Sequence, residues 1–148
     1  MRIALASDHA GVDLKDTLLA WLKDAGHEVS DLGTHGHDSV DYPEFGERLA
    51  NAVAGGTAER GIAVCGSGIG IAIAVNRNPA CRCARVSEPL SAALAREHND
   101  ANVLALGARL IGEDMAKQCV LAFLDTGFAG GRHQRRVDQL SQLLQESD

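Results

Sequence analysis

The chain has 148 residues, enough to bury a sizeable core and too few for two full-sized domains. Apolar residues make up 45% and aromatics only 3%, so the core must be Ala, Val, Ile and Leu, with no aromatic platform for stacking nucleic-acid bases. With 14 basic against 20 acidic residues the formal net charge is -6, which excludes a general polyanion binder and permits a small, local anion site.

"RIALAS" reads as a first strand, and the helix after it spans roughly residues 11–25, where Leu14, Leu18, Trp21, Leu22 and Ala25 recur at spacings of three and four. Gly26 ends that helix. "HEVSDL" is a second strand, "GTHGHDSVDY" a polar loop, and Pro43 opens a helix running to about Ala54. After the turn "GGTAER", the uniformly apolar "GIAVC" predicts a third strand covered on both faces. "GSGIG" turns into a small-residue helix ending near "NRNP". "CRCARV" is a fourth strand, "PLSAALAREHN" a helix, "VLALG" a fifth strand and "EDMAKQCVLAFL" another helix.

This alternation predicts βαβ units, and hence a Rossmann-like three-layer α/β/α fold on a five-stranded parallel sheet, in one domain covering 1–148. The tail breaks the rhythm with a Gly-rich link, the basic "RHQRR" and an extra C-terminal helix over about 135–146. Val137, Leu140, Leu143 and Leu144 form its apolar stripe, which must dock on this domain or on a second subunit. No run approaches the ~20 apolar residues of a membrane span, and "MRIALASDHAG" lacks the long apolar segment of a signal peptide. The expectation is a cytoplasmic protein with reduced thiols at Cys65, Cys81, Cys83 and Cys119, and with neither membrane nor nucleic acid as partner. Cys81 and Cys83 share one face of the fourth strand and lack the second pair that a zinc site needs, and Cys119 falls on an apolar helix face.

Ligands of an open parallel sheet bind at the C-terminal ends of its strands. There this sequence places Ser7, Asp8 and His9 after strand one, Cys65 after strand three, Ser87 and Glu88 after strand four, and Arg109 after strand five. In Cys65-Gly66-Ser67-Gly68-Ile69-Gly70, alternating glycines at a strand-to-helix turn leave backbone N–H groups free for an anion. The segment lacks the Gly-Lys-Ser/Thr ending of a Walker loop and does not follow the first strand, where a dinucleotide fingerprint belongs. A Cys-loop phosphatase needs arginine where Ile71 stands, and a thioredoxin-like pair needs cysteine where Gly68 stands. A cysteine at a helix N-terminus is a base or nucleophile, or else a small buried hydrophobe ending a strand.

In the tail, Arg132 and Arg136 lie one helical turn apart, a phosphate grip or a solvated basic patch. His98 and Asn99 end the fourth helix and read, in isolation, as an exposed helix end. His35, His37 and Asp38 sit in a loop without further metal ligands, and His133 has only its nearness to Arg132 to suggest an anion contact.

Together these pieces resemble the family of ribose-5-phosphate isomerase B and its galactose- and allose-6-phosphate relatives. The resemblance rests on "SDHAG" at 7–11, "DYPEFG" at 41–46, "GIAVCGSGIGIAIAVNR" at 61–77, "SEP" at 87–89, "REHNDANVLALGAR" at 96–109 and "GGRHQRRV" at 131–137. It implies an aldose–ketose isomerase of the non-oxidative pentose phosphate pathway that needs neither metal nor cofactor. It also implies a homodimer, or a dimer of dimers, whose sites are shared between subunits and receive the C-terminal helix. By the same resemblance Cys65 is the base that moves a proton between C1 and C2. Gly66, Gly68, Ile69 and Gly70 cradle the enediolate, and Ser67 shuttles a proton. Asp8 and His98 open the sugar ring, His9, Arg109, Arg132 and Arg136 hold the phosphate, and Tyr42 and Asn99 touch the sugar. A six-carbon sugar phosphate, or a phosphosugar-binding module without catalysis, are the other readings.

Overall fold

A computed structural model describes residues 1–145 of the chain. Its elements run β1 (Arg2–Ser7), α1 (Val12–Asp24), β2 (Glu28–Asp31), α2 (Tyr42–Ala54), β3 (Arg60–Cys65), α3 (Ile69–Asn76), β4 (Cys83–Arg85), α4 (Pro89–Asn99), β5 (Val103–Gly107), α5 (Glu113–Asp125) and α6 (Arg132–Gln145). The five strands form one parallel sheet in the order β2-β1-β3-β5-β4. The α/β architecture expected from the alternation of strands and helices is the one observed.

The period of two along each strand sorts its side chains into two different layers. Ile3, Leu5, Ile62, Val64, Leu104 and Leu106 turn to one face and pack under α1, α4 and α5 with Leu18, Leu22, Ala92, Val120 and Phe123. Ala4, Ala6, Ala63 and Ala105 turn to the other, so α2 and α3 lie close above them through Phe45, Leu49, Ile71 and Val75. On that small-residue face α2 and α3 also touch each other: a Cβ at Gly46 would stand 2.7 Å from that of Ala74. Cys65 belongs to this second layer.

Two details depart from expectation. β4 covers only residues 83–85 of "CRCARV", because side chains and a turn take the preceding backbone groups from the ladder. The Cys81 N–H donates to the Asn78 carbonyl, and the Arg82 N–H to Asn102 Oδ1 at 2.7 Å. The Asn76 amide brackets Cys83 from both sides. Cys81 is therefore buried in a turn, with its Sγ near the Ala50 carbonyl, and only Cys83 lies on the strand.

The C-terminal helix begins earlier than expected, at Arg132, after Gly130 and Gly131 with φ of 65° and 56°. These two left-handed residues turn the chain back, and the Ala129 N–H donates to the Glu97 carbonyl at 3.0 Å. Val137 is buried where α6 meets α4, whereas Leu140 and Leu143 are 50% and 63% exposed. The side chain of Leu144 and residue 146 lie outside the described residues. No described helix is long and apolar enough to cross a membrane.

Candidate active site

The strand order reverses direction between β1 and β3, and the turns leaving these two neighbours, at 8–11 and 66–68, flank the switch point where open α/β sheets bind ligands. A cleft of about 310 Å³ opens there, lined by Asp8, Tyr42, Cys65, Gly66, Ser67, Gly70, Arg109 and Leu110. Two hollows of about 410 and 440 Å³ border the turn at Asn78 and Pro79, away from this edge. Convergent chemistry, rather than volume, distinguishes the smaller cleft.

Its geometry follows from the glycines. Gly68 has φ 75°, and a Cβ there would stand 2.8 Å from the Leu106 carbonyl carbon, so a side chain is excluded on both counts. This turn aims the Gly68 N–H at Cys65 Sγ, 3.1 Å away. The Ile69 N–H donates to Ser67 Oγ at 3.2 Å. A Cβ on Gly70 would strike the Tyr42 ring at 2.7 Å, and one on Gly66 would meet Arg109 Nη1 at 3.2 Å. Tyr42 and Arg109 can lie against the cradle only because both positions are bare.

Across the cleft, Asp8 is 8% exposed. Its Oδ1 accepts the N–H groups of Ala10 and Gly11 at 3.0 and 3.1 Å, which fixes the carboxylate at the head of α1. His9 Nδ1 lies 3.1 Å from the Val40 nitrogen and 3.2 Å from the Val40 carbonyl oxygen, which holds the ring against that residue's backbone. Beneath this loop Lys15, fully buried, places Nζ 2.7 Å from Asp31 Oδ1, which also accepts the Gly33 N–H. The Gly33 carbonyl in turn accepts the Ser7 N–H at 2.7 Å. Desolvation raises the Asp31 carboxyl, but the bonds from Lys15 and Gly33, with the charges of Lys15 and His35, outweigh it and hold the group below its ordinary range.

His98, Asn99 and Arg136 lie elsewhere. With His133, Val137 and Leu140 they line a second cleft of about 280 Å³. The rings of His98 and His133 stack with centroids 4.4 Å apart and planes inclined by 10°. The His133 ring titrates below the ordinary histidine range, through desolvation first and then through His98, Arg132 and Arg136, against an opposing pull from Glu97. Arg132 begins α6 and is exposed. Because α4 runs antiparallel to the strands, its 11 residues carry the chain about 16 Å back to the opposite edge of the sheet. Asp8 and His98 of one chain therefore stand at opposite ends of the sheet, in clefts that share no lining residue.

The sequence reading missed three contacts. Arg85 Nε donates to the Ser67 carbonyl at 3.0 Å, His133 stacks on His98, and the Lys15–Asp31 pair braces the Asp8 turn. Only His133 carried a signal, standing three residues before Arg136 on the same helix. His37 and His35 pair with Asp13 and Asp31, and among the described residues no cluster of three or more His, Cys, Asp or Glu could hold a metal. Cys119 is fully buried and burial pushes its thiol up, as for a core residue.

A Rossmann-like sheet with a polar, thiol-bearing cleft at its switch point is the frame of an α/β enzyme acting on a small ligand. The chain belongs to the Ribose/Galactose Isomerase family, whose model matches residues 3–140. It is 45% identical over 144 residues to ribose-5-phosphate isomerase B of Escherichia coli, covering 97% of each chain. Its structure superposes on that of ribose-5-phosphate isomerase B from Clostridium thermocellum with a TM-score of 0.98, 46% identity and full coverage of both chains. The Mycoplasma genitalium ribose-5-phosphate isomerase B, solved with bound ribulose 5-phosphate, matches with a TM-score of 0.94 and 37% identity over 98% of this chain and 97% of that one. The protein is an isomerase of this family.

Proposed function

We propose that the protein interconverts D-ribose 5-phosphate and D-ribulose 5-phosphate through an enediolate, with Cys65 as the base, in a homodimer whose sites combine the two clefts. The observation that carries this reading is the buried Cys65 sulfur, held at 3.1 Å by the Gly68 N–H at the head of α3, in one cleft with Asp8 and Arg109. The ribulose 5-phosphate bound to the Mycoplasma relative supports the choice of sugar.

Sugar phosphates of this size are largely cyclic, so the ring opens first. Asp8 of one subunit and His98 of the other stand as the acid–base pair that moves a proton between the ring oxygen and the anomeric hydroxyl. The Cys65 thiolate then takes the proton from C2. The C2–H electrons form the C1–C2 double bond, and the carbonyl pair moves onto O1. The Gly66–Gly70 turn offers that developing charge the backbone N–H groups not already given to Cys65 Sγ and Ser67 Oγ, and these need no reorganisation as it forms. The thiol returns its proton to C1, while Ser67 carries the O2 proton toward O1, which leaves a C2 ketone. Arg136 and Arg132 from the second cleft, with His9 and Arg109 from the first, hold the phosphate, while Tyr42 and Asn99 touch the sugar. Binding energy remote from the reacting carbons thereby serves orientation.

The dimer reading rests on the separation of the two clefts and on exposed apolar side chains on three helices. Ile69 and Ile73 on α3, Leu90 and Leu94 on α4 and Leu140 on α6 are all exposed. They also give the C-terminal helix a place to dock on the partner. The test measures turnover of ribose 5-phosphate beside allose 6-phosphate, for wild type and Cys65→Ala. Turnover of the pentose, reduced by about a thousandfold or more in the variant, is the expected result for loss of a catalytic base. An active Cys65→Ala protein overturns the mechanism, and preference for the hexose overturns the choice of sugar.

A further inference from the structure

We propose that Arg85 is a positioning residue for Cys65, acting through the one peptide group that joins Ser67 to Gly68. This rests on the reading of Cys65 as the base and adds a residue to its machinery. Arg85 Nε donates to the Ser67 carbonyl oxygen at 3.0 Å. The N–H on the other side of that planar amide, on Gly68, donates to Cys65 Sγ at 3.1 Å. A cation that polarises the carbonyl of an amide strengthens the donor on its nitrogen, because hydrogen bonds in series reinforce one another. The chain Arg85 to Ser67–Gly68 to Cys65 thus delivers part of a guanidinium's charge to the sulfur of a residue that is only 4% exposed.

Two features keep the relay in register. The left-handed Gly68, pressed against the Leu106 carbonyl, fixes the plane of the amide. The parallel pairing of Arg85 with Ala105, and of Cys65 with Gly107, brings the end of β4 to the same edge of the sheet as the thiol. Arg85 itself is exposed and its bond to Ser67 lies at the surface, so its removal leaves the core intact. The other titratable and charged groups around the thiol are Asp8 at the head of α1, Tyr42 at the head of α2 and Arg109 after β5. His9 stands beside Asp8, and the Arg85 guanidinium bonds to the Ser67 carbonyl rather than to any of the four. Removing the guanidinium weakens the Gly68 donor and disfavours the thiolate, so the acid limb of the activity profile moves to higher pH.

The experiment uses the full chain as wild type, Arg85→Met and Arg85→Lys, with two readouts taken across pH. One is kcat and KM for ribose 5-phosphate; the other is the rate at which iodoacetamide alkylates Cys65, followed on the Cys65 peptide by mass. Arg85→Met is expected to lower both kcat and the alkylation rate by about three- to tenfold at neutral pH, the weight of one charge-assisted hydrogen bond. KM should stay within about twofold, both losses should shrink as the pH rises, and Arg85→Lys should recover most of each. A loss of equal size at every pH, as from a distorted cradle or altered access, overturns the proposal. So does a raised KM with unchanged kcat, which marks a substrate contact, or an unchanged alkylation rate. If Cys65→Ala remains active, the base assignment fails while alkylation still tests the relay.

Discussion

The cleft at Cys65 and the cleft at His98 are assembled by opposite means. The first is made mostly of main chain: strand ends, a left-handed glycine and bare Cα atoms at Gly66 and Gly70 against which Arg109 and Tyr42 lie. The second is made of side chains on two helices, with His98 stacked on His133 and Arg136 one turn farther along α6. A main-chain cradle is rigid because the sheet fixes it, which suits charge that must be met without rearrangement. Helix-borne imidazole and guanidinium groups suit proton exchange and phosphate binding, where reach matters more. On the proposed reading neither cleft is a complete site for one sugar phosphate, and the two share no lining residue.

The sharpest way to break this comparison is to disable each cleft in a different copy. Cys65→Ala and His98→Asn are each expected to be inactive alone. Refolded together at equal amounts, about half of the dimers are mixed and each of those holds one intact pair, so about a quarter of the wild-type activity returns. A mixture as dead as its parts shows that the two clefts do not combine. The next effect is smaller. Arg136→Ala is expected to raise KM by about tenfold with kcat within about twofold, since a grip on the phosphate is the same in ground and transition states. An equal fall in kcat and kcat/KM places Arg136 at the reacting carbons instead.

Much of this was readable from the chain. The alternation of "RIALAS", "GIAVC" and "VLALG" with helix-period segments specified a parallel sheet, and its strand ends located Asp8, Cys65 and Arg109. Even the separation of His98 from Cys65 was implicit, because a helix following a parallel strand must run back and its last residues lie at the far edge. What was hidden depends on contacts without a local pattern. The Asn76 and Asn102 amides that cut β4 short reach across 7 and 20 residues. Arg85 looks like any solvated residue on an edge strand until the Ser67 carbonyl is placed beside it. Lys15 reads as the polar interruption of an amphipathic helix, and its burial is explained by Asp31, 16 residues on, together with the neighbouring Asp16.

The Lys15–Asp31 pair supplies the smallest expected effect, and it concerns only the main-chain cleft. Asp31 ties β2 to the Gly33 N–H, and Gly33 in turn bonds the Ser7 backbone just before Asp8. Its carboxyl lies below the ordinary value of 3.8 in the folded chain, because Lys15 and Gly33 outweigh desolvation. The unfolded chain, with the higher value, therefore binds the proton first as pH falls. The stabilisation is present above pH 3.8 and is lost as the pH drops through that value toward the folded one. Asp31→Asn removes the titrating group, and it leaves the buried Lys15 Nζ with the exposed Asp16 carboxylate as its charged partner. The variant should be less stable than wild type at neutral pH, and its denaturant midpoint should fall less steeply between about pH 5 and 3. Parallel curves, with the other carboxylates common to both proteins, would show that Asp31 gains nothing from Lys15 on folding and that the brace under Asp8 is steric alone.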